Sequence, residues 1–295
     1  MKLAEFDAWA HAEVDAVETA LQTWVPGDAP AGLGRTMRYG VLDGGKRVRP
    51  LLVLAAAQTV HGQRDAAMRA ACAVELIHAY SLIHDDMPCM DNDVLRRGKP
   101  TVHVQFGEAQ AMLAGDAMQA LAFEVLTPDE GVPPALQARL CALLARAAGH
   151  AGMAGGQAID LASIGHPLDE HALRDMHHRK TGALLQASVL MGAACGQATP
   201  AQWAALADYG DALGLAFQVV DDILDVTQAS ATLGKTAGKD LDNNKPTYVT
   251  VLGLTAARRH ANELRDQAQA ALARSDLPDA AWLSLLADKV VERDS

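Results

Sequence analysis

Aromatic side chains are scarce: Phe, Trp and Tyr make up 4% of 295 residues, although half the chain is hydrophobic. The apolar content leans on alanine and leucine, and segments that alternate Val, Ile or Thr with polar residues are few. This excludes a β-rich core and predicts an almost wholly α-helical protein, because Ala and Leu are the strongest helix formers. A basic excess is missing too. The 25 Lys and Arg stand against 36 Asp and Glu, a net charge of −11. Such a balance argues against a nucleic-acid partner and gives no support to adhesion to anionic membranes. There are only four cysteines and no C-x-x-C pair. Cys72, Cys141 and Cys195 fall in apolar, helix-like segments, so buried reduced thiols are expected rather than disulfides or zinc ligands. The N-terminal stretch carries acids throughout, unlike a targeting peptide, and no apolar run approaches the ~18 residues of a membrane span. The expectation is a cytoplasmic protein without membrane insertion. No repeat, linker or composition break divides the chain, so residues 1–295 read as one domain.

What the chain does have is charge concentrated in apolar surroundings. Helices are predicted at about 3–24, 31–41, 46–61, 66–86, 101–126, 134–150, 169–177, 180–196, 200–226, 247–273 and 278–292. The helix ending at 86 is apolar nearly all round, which places it inside a bundle. It runs into four aspartates within nine residues, Asp85, Asp86, Asp91 and Asp93. Pro88 stops the helix there. A helix C-terminus already carries partial negative charge, so carboxylates at that end are disfavoured unless a cation offsets them.

A second cluster, FQVVDDILD at 217–225, follows, with Asp221 falling 136 positions after Asp85. Asp221 and Asp225 share a helix face by their i,i+4 spacing, Asp222 lies one residue round, and the flanks are again apolar. If the two helices face each other, both sets of carboxylates converge on one cavity. Carboxylates without paired His or Cys select hard cations, Mg²⁺ or Mn²⁺, and Mg²⁺ commonly bridges carboxylates to substrate phosphates. Bases suited to phosphate stand beside each motif: GGKRVR at 44–49, RRGKPT at 96–101, HRKTG at 178–182 and GKTAGKD at 234–240. The GKT at 234–236 is not a nucleotide P-loop, because Ala229 stands where that motif needs glycine.

These stretches, with ELIHAYSLIHDDMPCMD (75–91), AGDA (114–117), GGQ (155–157) and NKPTY (244–248), resemble the trans-isoprenyl (polyprenyl) diphosphate synthases. The likeness runs from about residue 40 to 250 in the family's order and is greatest to bacterial-type farnesyl diphosphate synthases. It implies an all-α isoprenoid synthase fold: an antiparallel bundle of about ten helices around a central cavity, usually a homodimer. It further implies that Asp85 and Asp91, with Asp86 close by, bind two Mg²⁺ ions. Asp221 would bind a third, supported by Asp222 and Asp225. Arg96, Lys180, Lys235 and Lys245 would grip an allylic diphosphate, and Lys46, Arg49, His78 and Arg97 the diphosphate of isopentenyl diphosphate. Thr181 and Gln218 would sit beside the ionising carbon.

In this family the helix below the first aspartates limits product length. Ser81 lies one turn under Asp85 and Tyr80 one residue further. A turn rises about 5.4 Å, roughly one isoprene unit. Tyr80 and the Pro88-Cys89 insertion resemble the C15 pattern, which implies farnesyl diphosphate, with geranylgeranyl or geranyl diphosphate as alternatives. A class I terpene cyclase is disfavoured by the complete GGKRVR and DDILD motifs, and a non-catalytic subunit by the retention of every aspartate and Lys180. The histidines 84, 177 and 178 are expected to be structural or peripheral.

Overall fold

Alanine-rich segments punctuated by glycine and proline fold here into fourteen α-helices among the described residues, ten of them ten residues or longer. The computed structural model describes residues 2–42, 44–166, 168–227, 246–274 and 276–292. The helices are α1 (Lys2–Trp24), α2 (Leu33–Val41), α3 (Val48–Thr59), α4 (Arg64–Asp85), α5 (Val102–Phe106), α6 (Glu108–Leu126) and α7 (Pro134–Ala148). After them come α8 (Met153–Ala162), α9 (Glu170–His177), α10 (Ala183–Ala194), α11 (Pro200–Thr227), α12 (Tyr248–Leu252), α13 (Leu254–Ala273) and α14 (Ala281–Val291). A two-residue hairpin, β1 (Leu95–Arg96) and β2 (Lys99–Pro100), is the only strand pair among the described residues.

The core forms three apolar clusters. One joins α1 through α4 with α6, α7 and α10; another joins α3, α10, α11, α13 and α14. The third, smaller one packs α9, α12 and α13 on the last turns of α11. Helix α4 is the axis of the first, with twelve buried residues. It also corrects one expectation. An 18-residue window of Arg64–Asp85 is long and apolar enough to span a membrane, but 67% of that window is buried inside the bundle. Its apolarity serves the core.

Other departures have local causes. The stretch predicted as one helix over 101–126 divides at Gly107, whose φ of +88° starts a new axis, and 247–273 divides at Gly253 in the same way. Helix α8, MAGGQAIDLA, was not expected, since two glycines lower its intrinsic propensity. Both are there for space: a Cβ at Gly155 would stand 1.9 Å from the His150 carbonyl oxygen, and one at Gly156 2.2 Å from the Lys180 nitrogen. None of the four cysteines is in a disulfide; Cys72 and Cys195 are buried, Cys141 is only half-buried, and Cys89 is exposed.

Candidate active site

The two aspartate-bearing helices reach one cavity of about 950 Å³. Helix α4 contributes His78, Tyr80, Ser81, His84 and Asp85 to its wall, and α11 contributes Phe217 and Asp221. Lys46 and Arg49 enter from the glycine loop and the start of α3, Arg96 and Arg97 from the hairpin. Lys180 and Thr181 come from a single π-helical turn, His178–Gly182, between α9 and α10. That widened turn lies against Gly156 of α8, and a side chain at 156 would push it away. Asp91 and Asp221, one from each cluster, line an adjoining void of about 160 Å³ together with Lys180 and Gln218. The predicted convergence of the two clusters is therefore observed. Lys235 and Lys245 lie outside the described residues.

Within each Asp-Asp pair the partners part ways, because neighbours on a helix point about 100° apart. Asp85 faces the cavity. Burial first, then repulsion from Asp91 and Asp86, pushes its pKa up to about 6 against the opposing pull of Lys180 and Arg96. Asp86 is 2% exposed and takes a forked set of hydrogen bonds from Arg96, at 2.6 to 3.0 Å. In the second pair, Asp221 lines the cavity while Asp222 turns inward. Gln218 Nε2 donates to Asp222 Oδ1 at 2.8 Å and the Tyr248 backbone N–H to Oδ2 at 2.7 Å. Asp225 is also buried. Of the six candidate metal ligands, Asp86 and Asp222 thus spend oxygens on protein donors, although Asp222 also borders the smaller void, and Asp85, Asp91 and Asp221 face the voids.

The remaining site residues are held by specific contacts. Thr181 Oγ1 donates to Gln218 Oε1 at 2.9 Å, so the Asp222 carboxylate, which only accepts, fixes the Gln218 amide with its oxygen towards Thr181. Lys180 Nζ is 2.5 Å from buried Asp160. His78 is driven well below the ordinary histidine range, by burial first and then by Arg49, Arg97 and Arg96, and so presents a neutral imidazole. Arg97 adopts φ +53° and donates to the Gly44 carbonyl, tying the hairpin to the glycine loop.

Two residues of the site, Arg47 and Gln157, have no role in the sequence reading, and a third, His84, has a different one. Arg47, with φ +45°, is buried and donates to Glu75, Glu18 and the Val41 carbonyl. Burial disfavours its charge, but Glu75 and Glu18 more than offset this and raise its pKa above the usual value. It anchors the loop between Lys46 and Arg49. Gln157 lines the cavity with both amide atoms buried and no hydrogen-bond partner among the described residues. An orphaned buried amide costs about 1–3 kcal/mol, which a bound ligand would recover. His84, expected to be peripheral, is on the cavity wall. The GGQ motif marks the place of Gln157; nothing local marks Arg47, whose carboxylate partners are 28 and 29 residues away.

Residues 30–280 match the family model described as polyprenyl synthetase. The chain belongs to that family. It is 46% identical to the chloroplastic geranylgeranyl pyrophosphate synthase of Catharanthus roseus, over 99% of this chain and 82% of the other. It is 45% identical to the farnesyl diphosphate synthase of Geobacillus stearothermophilus, over 95% of each. The crystal structure of geranylgeranyl pyrophosphate synthetase from Pyrococcus horikoshii superposes with a TM-score of 0.90 at 32% identity, over 99% of this chain and all of that one. The fold is the all-α isoprenoid synthase fold, and the chain is a trans-prenyltransferase.

Proposed function

We propose that this prenyltransferase condenses isopentenyl diphosphate with dimethylallyl or geranyl diphosphate and releases (E,E)-farnesyl diphosphate. The observation that carries the reading is the single cavity with Asp85 and Asp221 on facing helices and Tyr80 on its wall, five residues below Asp85. The donor set suits Mg²⁺: carboxylates only, from two walls, one of them poorly solvated enough to sit near pKa 6. Among the described residues no three such side chains close into an all-protein cage, which fits an ion that shares its sphere with diphosphate and water. Asp85, Asp91 and Asp221 would hold it, and it would supply positive charge to the departing diphosphate.

The chain's own groups do the rest. Lys180 and Arg96, joined by Lys235 and Lys245, bind the allylic diphosphate; Lys46, Arg49, His78 and Arg97 bind that of isopentenyl diphosphate. As the allylic C–O bond breaks, the cations stabilise charge on the leaving group. Thr181 turns its hydroxyl proton to Gln218, leaving an oxygen lone pair for the allylic cation. Phe217, Met90, Met153 and Leu161 exclude water that would trap it. The isopentenyl double bond attacks the cation, and a proton leaves for the released diphosphate. A second reading, geranylgeranyl diphosphate, draws on the relatives of that name; the bulk of Tyr80 favours the shorter product. Val104 of α5 and Met112 and Leu113 of α6, each more than 40% exposed, support a homodimer through that apolar face.

Purified protein given Mg²⁺, isopentenyl diphosphate and geranyl diphosphate is expected to give C15 product, read by chromatography after dephosphorylation, and to stop when the metal is chelated. No diphosphate release would sink the enzyme reading; C20 as the main product would sink only the chain length.

A further inference from the structure

A stopper in a cavity limits product length only if something keeps it in place. The hydroxyl of Tyr80 makes no hydrogen bond to a described residue, and its ring turns about two torsions. One side of it packs against the first apolar cluster, and its ring meets His84, four residues on and so on the same face of α4, with ring centroids 5.7 Å apart and planes at 74°. That edge-on arrangement is one of the two preferred for aromatic pairs.

His84 is itself clamped from the far side. Its Nε2 lies 3.1 Å from the Met112 carbonyl oxygen of α6, and since that oxygen only accepts, Nε2 is the donor. One turn along α6, Gly115 is buried, and a Cβ built there would stand 2.0 Å from the same Nε2. Glycine is disfavoured inside a helix, so its presence leaves a notch that the imidazole occupies. The contacts form a chain from Gly115 and Met112 through His84 to Tyr80. Both rings at its end line the cavity.

We propose that His84 is a specificity-determining positioning residue: it braces the Tyr80 ring across the cavity and thereby sets the length of the prenyl chain. The proposal rests on the reading of Tyr80 as the stop, and His84 acts only through it.

The test compares C20:C15 ratios from wild type, Tyr80→Ala, His84→Ala, Gly115→Ala and the double variant Tyr80→Ala/His84→Ala. All are supplied with geranyl and excess isopentenyl diphosphate. His84→Ala is expected to raise the ratio about tenfold, Gly115→Ala to raise it by displacing the imidazole, and the double variant to match Tyr80→Ala alone. His84→Gln, able to donate to Met112 but without a ring edge, should lengthen the product as well, and it decides the matter if His84→Ala is inactive. A wild-type ratio in His84→Ala overturns the brace, as does further lengthening in the double variant. Loss of all activity in both His84 variants also overturns it, since bond formation does not need the stop. If wild type makes C20 and Tyr80→Ala changes nothing, the chain-length reading fails first. If Tyr80→Ala lengthens and His84→Ala does not, the brace alone fails.

Discussion

Asp222 accepts two hydrogen bonds, and through them decides which end of the Gln218 amide meets Thr181. Replacing it by Asn sets an NH₂ against either Gln218 Nε2 or the Tyr248 N–H, leaving a buried donor unsatisfied. Asp222→Asn is expected to cost about 1–3 kcal/mol of stability in urea unfolding and to lower kcat with little change in KM, because the amide is then free to turn. Equal loss of kcat and substrate affinity would assign Asp222 to binding instead. The sequence made Asp85 and Asp86, or Asp221 and Asp222, look alike. Their neighbours in sequence are the same apolar residues, and only the rotation of each helix about its axis, set by packing, separates the cavity-facing member from the buried one. Lys46, Arg49, His78, Lys180 and Thr181 were legible because their motifs are local and unusual. Arg47 was not, because its meaning lies in carboxylates on two other helices.

The element that presents Lys180 and Thr181 is held at both edges. Gly156 lets α8 approach its backbone, and His178 Nδ1 pairs with Asp211 Oδ1 of α11 at 2.8 Å. The hydrogen bond to Asp211 raises the His178 pKa above 6.5, and the same bond lowers that of Asp211 below 3.8. A raised histidine stabilises the fold fully below its unfolded pKa and stops doing so as pH rises through the folded value. A lowered aspartate stabilises above its unfolded pKa. The pair therefore contributes from about pH 4 upwards and is lost as pH rises through the raised value of His178. With side chains 40% and 37% exposed, that contribution is screened to within ~1 kcal/mol. The Tm gap between wild type and Asp211→Asn should be largest near pH 5 and shrink as pH rises above about 6.5; a gap independent of pH would refute the ion pair. The sequence hid α8 for the same reason that it is useful, since Gly155 and Gly156 sacrifice helix propensity for close approach. It hid the breaks at Gly107 and Gly253 because helical periodicity continues across both.

Across the molecule, Arg47 joins α1 through Glu18 to α4 through Glu75, beneath the loop that carries Lys46. Removing the cation strands two carboxylates, one of them 3% exposed. Arg47→Met is expected to lower unfolding free energy by about 3–5 kcal/mol, measured by denaturant titration, whereas Arg47→Met/Glu75→Leu should recover part of it. No recovery in the double variant would mean that packing, not charge, explains the loss. The architecture as a whole was legible from composition, because an alanine-rich chain poor in β-branched runs has little choice but helices. The placement of those helices around a cavity was not, since it depends on packing that brings residues as distant in sequence as 85 and 221 to one cavity.

The dipeptide Arg96-Arg97 acquires a further significance in this light. One guanidinium holds Asp86 at the end of α4 and the next holds the Gly44 carbonyl near Lys46. The hairpin thus ties the end of α4 to the glycine loop, the two places where the proposed function would seat its diphosphates. A ligand that drew Arg96 from its carboxylate would pull on the backbone on which Arg97 hangs, and the reverse would hold as well. Linkage requires such an influence to be equal in both directions. The two diphosphates would then be felt as a pair, with the first to arrive adjusting the seat of the second.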